Sequence, residues 1–116
     1  MLDVFVSSPY SDPDQNVIEE RVKVAQRYVA QLASNDILAF SVLAYIHPIL
    51  KDHPLPTDYE FWKDLCVRGM EMCEVVHVLC IEGWEDSVGV QDEIEIARSL
   101  KKRIVYITDI DNPSLL

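Results

Sequence analysis

Three carboxylates stand close together at Asp92, Glu93 and Glu95, and helical spacing gives them different surroundings. At about 100° per residue, Val90, Ile94 and Ala97 mark one apolar face of a helix. Glu93 falls inside that arc, whereas Asp92 and Glu95 fall on the outer side. One acid of the three is therefore turned inward. A buried, unpaired carboxylate is costly, and burial raises its pKa. Either a nearby loop pairs with it, or a site uses a carboxylate of raised basicity. Glu93 also lies in the second turn of its helix, so its side chain leans back toward the N-terminus. There Ser87 is a candidate N-cap, and Gly89 removes a side chain that would block close approach. The Ser87 hydroxyl and the free N–H groups beside it suit a simple cap or contact with an anion or a sugar hydroxyl.

Strands and helices alternate around this segment. Residues 2–8 form a short run of β-formers ended by Pro9. Asp12 and Pro13 offer a helix start, and Ile18, Val22, Ala25, Val29 and Leu32 then recur at the helical period up to Asn35-Asp36. Residues 37–43 are a near-continuous apolar run, as in a strand covered on both faces. Residues 44–56 carry Pro48, Pro54 and Pro56 and predict a loop. Thr57 and Glu60 have capping-box spacing ahead of a helix that continues through Cys73. Residues 75–81 predict a third strand, 82–86 a loop, 87–101 a helix, 103–108 a fourth strand, and 109–116 a polar tail with one short turn.

This order predicts a single domain over residues 1–116, an α/β three-layer Rossmann- or flavodoxin-like fold with a four- to five-stranded parallel sheet. Ligands of such sheets bind beyond the carboxyl ends of the strands. Ser7–Asp12, Leu43–His53 and Glu82–Ser87 then share one rim with the N-terminal end of the Glu93 helix.

Composition narrows the function classes. Twenty acidic against ten basic residues give a net charge of −10. An average surface of that sign repels nucleic-acid polymers and anionic membranes. No stretch has the length of a membrane span, and the first residues read as structure rather than a leader, so the expected location is cytoplasmic. Cys66, Cys73 and Cys80 make an odd count without a C-x-x-C pair, against a disulfide scaffold or zinc site. They read as small apolar side chains; a nucleophilic cysteine would need a histidine that the sequence does not place. His47, His53 and His77 are scattered, and strand one leads into Ser-Ser-Pro-Tyr rather than a glycine-rich turn. No metal and no cofactor are expected.

Ser87-x-Gly89-Val90-x-x-Glu93 followed by Ala97 resembles the nucleoside 2-deoxyribosyltransferase superfamily, and its spacing is similar to the deoxynucleoside 5′-monophosphate N-glycosidase branch. Val4-Phe5-Val6-Ser7-Ser8-Pro9-Tyr10 resembles the first strand and substrate loop of the same superfamily. With Phe40-Ser41, His47-Pro48-Ile49, Trp62 and Gly83-Trp84-x-Asp86-Ser87, the likeness spans nearly the whole chain, most closely to a bacterial and phage branch. The resemblance implies cleavage of an N-glycosidic bond, with Glu93 attacking or stabilising an oxocarbenium-like anomeric carbon. It implies substrate contacts from Ser8, Pro9, Tyr10, His47, Trp84, Ser87 and Gly89, with Tyr10 stacking on the base and Trp84 covering base or sugar. By their residue types alone, Tyr10 and Trp84 equally suit aromatic lids at the core edge, and His47 before Pro48 suits a turn.

The chain departs from the family pattern at two places. Glu95 stands where the transferases carry glycine, and Ser87 where many carry aspartate. The loop after strand one also lacks the glycine- and arginine-rich character of the monophosphate glycosidase. Hydrolysis, base exchange and phosphate preference stay open. The competing readings are a non-catalytic nucleotide-sensing module and an acidic protein-interaction domain. The expected partner is a small nucleoside or nucleotide. Homo-oligomers are expected by resemblance, with Ile46, Ile49 and Leu50 as apolar contacts to a second copy.

Overall fold

The computed structural model describes residues 3–113. Four parallel strands lie in the order β2-β1-β3-β4: β1 Asp3–Ser7, β2 Leu38–Phe40, β3 Val75–Leu79 and β4 Arg103–Ile107. The helices are α1 Gln15–Ser34, α2 Val42–Leu50, α3 Tyr59–Met72 and α4 Val88–Ser99. Leu2 of the first expected strand and residues 114–116 of the expected tail lie outside the described residues.

The pleat sorts the strand residues between two cores. Val4 and Val6 of β1, Val75 and Leu79 of β3 and Ile107 of β4 pack with Tyr28 and Leu32 of α1. Phe5, Val76 and Val78 face the other way, onto Cys66 and Met70 of α3 and Val90, Ile94 and Ala97 of α4. Helices on both faces make the sheet a three-layer structure. Among the described residues no helix is long and apolar enough to cross a membrane.

Several local expectations shift. Asp14, not Asp12, caps α1 and accepts from the Asn16 N–H. Tyr28, not Val29, is the buried residue of that turn. Asp58, not Thr57, caps α3 and accepts from Phe61. The largest correction concerns residues 37–56. The strand there is only three residues long, and Ser41 caps a helix through Val42–Leu50 that contains Pro48. Proline removes the hydrogen bond to Ala44 and normally breaks a helix interior. Here it falls in the last turn of a nine-residue helix, where only one such bond is lost. Val42 packs against the core beneath α3 and α4, and Val42, Leu43, Ile46 and Leu50 line a common cavity.

Candidate active site

β2 extends the sheet to one side of β1, and β3 and β4 extend it to the other. The chain therefore leaves β1 and β3 in opposite directions, and a crevice opens at their carboxyl ends. Ser7 is the last residue of β1, on the α4 side of the sheet. Its buried hydroxyl donates to Glu93 Oε1 at 2.6 Å. Glu93 is 7% exposed and continues the inward face of α4 formed by Val90, Ile94 and Ala97. Asp92 faces outward to Lys63 at 3.3 Å, and Glu95 pairs with Arg98. Burial pushes the Glu93 carboxyl up to about 7, against the opposing effect of the Ser7 hydrogen bond.

The position of α4 is fixed at its start. Ser87 Oγ accepts from the Val90 N–H at 3.2 Å, so it does act as the N-cap. A Cβ on Gly89 would lie 3.2 Å from the Tyr59 ring, and its absence lets α4 and α3 approach.

Glu93 borders a cavity of about 480 Å³. Cavities of roughly 300–1,000 Å³ accommodate small ligands. Ser8, Tyr10, His47, Ser87, Gly89 and Glu93 all line it, so six of the eight residues singled out in the sequence converge. Pro9 and Trp84 do not. Pro9 is buried outside the lining. Trp84 begins a short 3-10 turn, Trp84–Asp86, which directs its indole onto Tyr106 of β4 at a centroid distance of 5.8 Å.

Other residues join the site without a clear signal in the sequence. Ser7 could be noticed only once β1 and α4 were known to touch. Tyr59 and Cys66 line the cavity from α3. The Tyr59 hydroxyl is buried and has no hydrogen-bond partner among the described residues. Burial, and then the charge of Glu93, push its phenol upward. The same causes push up the Cys66 thiol. A thiol held protonated is a poor nucleophile. Trp62 lines the same wall and donates its indole N–H to the Pro56 carbonyl at 2.8 Å.

Arg21 of α1 ties the two rim loops together. Its guanidinium donates to the carbonyls of Tyr10 (3.4 Å), Ser11 (2.8 Å) and Glu82 (3.2 Å). Gly83 sits at φ +91°, and a Cβ there would run into Arg21 Nη2. The loop after β3 therefore needs glycine both for its backbone and for the arginine beside it.

On the opposite wall the Tyr10 hydroxyl lies 2.8 Å from His47 Nδ1, and His47 Nε2 lies 3.0 Å from Glu19 Oε1. Among the described residues no group of three or more His, Cys, Asp or Glu side chains is placed to hold a metal ion.

A family model described as "Domain of unknown function (DUF1937)" matches residues 2–109. No curated protein matches the chain. Among solved structures, the chain is similar to a 2-deoxyribosyltransferase from the psychrotolerant bacterium Bacillus psychrosaccharolyticus, a biocatalyst for nucleoside synthesis. The TM-score is 0.58 over 90% of this chain and 71% of that one, at 15% identity. At such identity the likeness is one of fold: a four-stranded all-parallel sheet between helices.

Proposed function

Because the chain belongs to the DUF1937 family and has the 2-deoxyribosyltransferase fold, we propose that it cleaves the N-glycosidic bond of a nucleoside or nucleotide, with Glu93 as the catalytic carboxylate. One observation carries this reading: a buried carboxylate at the sheet's switch point borders a cavity of small-ligand size. At the anomeric carbon a positive charge develops as the base departs. A carboxylate in a water-poor pocket stabilises that charge more than one in bulk solvent, or captures it as a glycosyl ester. Ser7 holds the carboxylate in one orientation. The unpartnered Tyr59 hydroxyl and the cavity-facing Ser8, Ser87 and Gly89 supply donors and room for the sugar. Tyr10 and His47 face the base.

Burial raises the Glu93 carboxyl to about 7, so the ionised form that attacks becomes the major one only above neutral pH. The decisive experiment incubates the protein with a panel of nucleosides and nucleoside monophosphates and looks for free base by chromatography. Release by the native chain and none by Glu93→Gln is the expected result. Release that survives this substitution removes Glu93 from the mechanism.

The replacements at Ser87 and Glu95 favour a second reading, a module that binds nucleosides without cleaving them. Its signature is thermal stabilisation by the panel with no base released.

A further inference from the structure

Tyr10 and His47 stand between the cavity and a second groove, and Glu19 continues their contacts on the groove side. Tyr10 and His47 line the cavity that Glu93 borders. They also line a neighbouring, more open groove of about 850 Å³, together with Glu19. The contacts run without a break, Tyr10 hydroxyl to His47 Nδ1 at 2.8 Å and His47 Nε2 to Glu19 Oε1 at 3.0 Å. The His47 side chain is 17% exposed and that of Glu19 49%, so one end of the path meets solvent and the other meets the cavity.

The chemistry of the groups dictates how hydrogens are shared. A carboxylate only accepts, so Nε2 carries a hydrogen toward Glu19. With a neutral ring, Nδ1 is bare and Tyr10 donates to it. With an imidazolium ring, Nδ1–H donates to the Tyr10 oxygen and the phenolic hydrogen is freed to point into the cavity. Its hydrogen bonds from His47 and Gln15 hold Glu19 below the usual carboxylate range, so it stays charged opposite the ring. Lys23 of the same helix also faces Glu19.

We propose that Tyr10 and His47, with Glu19 holding the ring, form a proton relay that protonates the departing base. The relay rests on the N-glycosidase reading. As a Glu93 oxygen bonds to the anomeric carbon, the C–N bond breaks and its electron pair stays with the base. The base takes the phenolic proton of Tyr10, and the Tyr10 oxygen takes the Nδ1 proton of His47, which ends neutral. Water then opens the glycosyl ester at the anomeric carbon, and its proton returns through Tyr10 to His47. One water is consumed, one base and one sugar leave, and nothing is oxidised or reduced. Tyrosine alone would serve poorly, because burial and the Glu19 charge both disfavour a bare phenolate at residue 10. His47 supplies a proton as that of Tyr10 departs, so no phenolate accumulates.

A leaving group that needs no proton provides the test. Native protein, Tyr10→Phe and Glu19→Gln are assayed on 2′-deoxyguanosine and 7-methyl-2′-deoxyguanosine, each also as the 5′-monophosphate. The methylated base already carries the charge that protonation would confer. General acid catalysis is worth about 10²–10⁴-fold, so Tyr10→Phe should slow the unmethylated substrate on the order of 30-fold or more beyond its effect on the methylated one. Glu19→Gln should show the same selectivity in kcat with a smaller ratio. Equal slowing of both substrates, or no slowing of either, overturns the relay while Glu93-dependent release leaves the glycosidase reading standing. No base released by native protein from these four or from any member of the nucleoside and monophosphate panel overturns both.

Discussion

Replacing Glu93 by glutamine should make the protein more stable at neutral pH while removing its proposed activity. The unfolded carboxyl titrates near 4.5, and the native one near 7. The native state therefore holds the proton more tightly, and ionising Glu93 costs stability. That cost is absent below about pH 4.5, grows between 4.5 and 7, and is complete above 7. At about 1.4 kcal/mol per tenfold in proton affinity, it amounts to roughly 3 kcal/mol. Glutamine is nearly isosteric and keeps an oxygen to accept from Ser7, but never bears the charge. Its amide also has the unpartnered Tyr59 oxygen nearby on the cavity wall. For a domain of this size, 3 kcal/mol corresponds to a rise in Tm of about 10 °C. The assay is urea and thermal unfolding of both proteins at intervals from pH 4.5 to 8. His77 is buried against Tyr28, and burial pulls it down to about 4, so it too makes stability pH-dependent. It is common to both proteins and drops out of their difference. A Glu93→Gln protein that is less stable at pH 8, or whose advantage is the same at pH 5 and 8, would refute the assignment of Glu93 as a buried, costly acid.

The proposed activity should rise with pH along an acid limb near 7, as Glu93 ionises. Ser7→Ala removes a donor that favours the charged form, so the limb in a pH profile of kcat/KM should move upward and the plateau fall about tenfold. Gly83→Ala should cost about 1–2 kcal/mol in urea unfolding, from the left-handed backbone alone, and more where the methyl displaces Arg21. Ile46 and Leu50, expected as contacts to a second copy, line the cavity instead; the homo-oligomer expected from the resemblance should still appear as more than a monomer in light scattering at micromolar concentration.

The element order and the inward turn of Glu93 were readable because both follow from periodicity. Val90, Ile94 and Ala97 define a helix face whatever that face packs against, and the β-rich runs at 3–7, 75–79 and 103–107 are separated from one another by helices. The site wall was less readable. α2 was hidden by Pro48 and by an apolar run that suits a strand equally well. The spacing of Val42, Leu43, Ile46, Ile49 and Leu50 is helical, but the prolines outweigh it until all of these but Ile49 are known to line a cavity. The partners of Glu93 and His47 were not readable at all. Ser7 and Glu93 are 86 residues apart, and Glu19 and His47 are 28 apart. Nothing local distinguishes them from other serines and glutamates. Trp84 shows the reverse case, an aromatic in the right loop whose 3-10 turn aims it at Tyr106.

The placement of Glu93 also explains why so much of the structure around it is devoted to holding backbone still. A helix turned by one residue about its axis would carry residue 93 through about 100°, from the cavity to the core or to solvent. Three features prevent this. The Ser87 cap sets where α4 begins, the close approach of Gly89 to Tyr59 sets how α4 sits on α3, and Ala97 seats the far end in the core. Across the cavity, Arg21 bonds the carbonyls of Tyr10 and Ser11 on one loop and Glu82 on the other. It thereby holds the loop that carries Tyr10 against the loop that leads into α4. The acid and the tyrosine are thus positioned by different elements that meet at one guanidinium. Loosening that junction would leave each group intact and still separate the two ends of the proposed reaction.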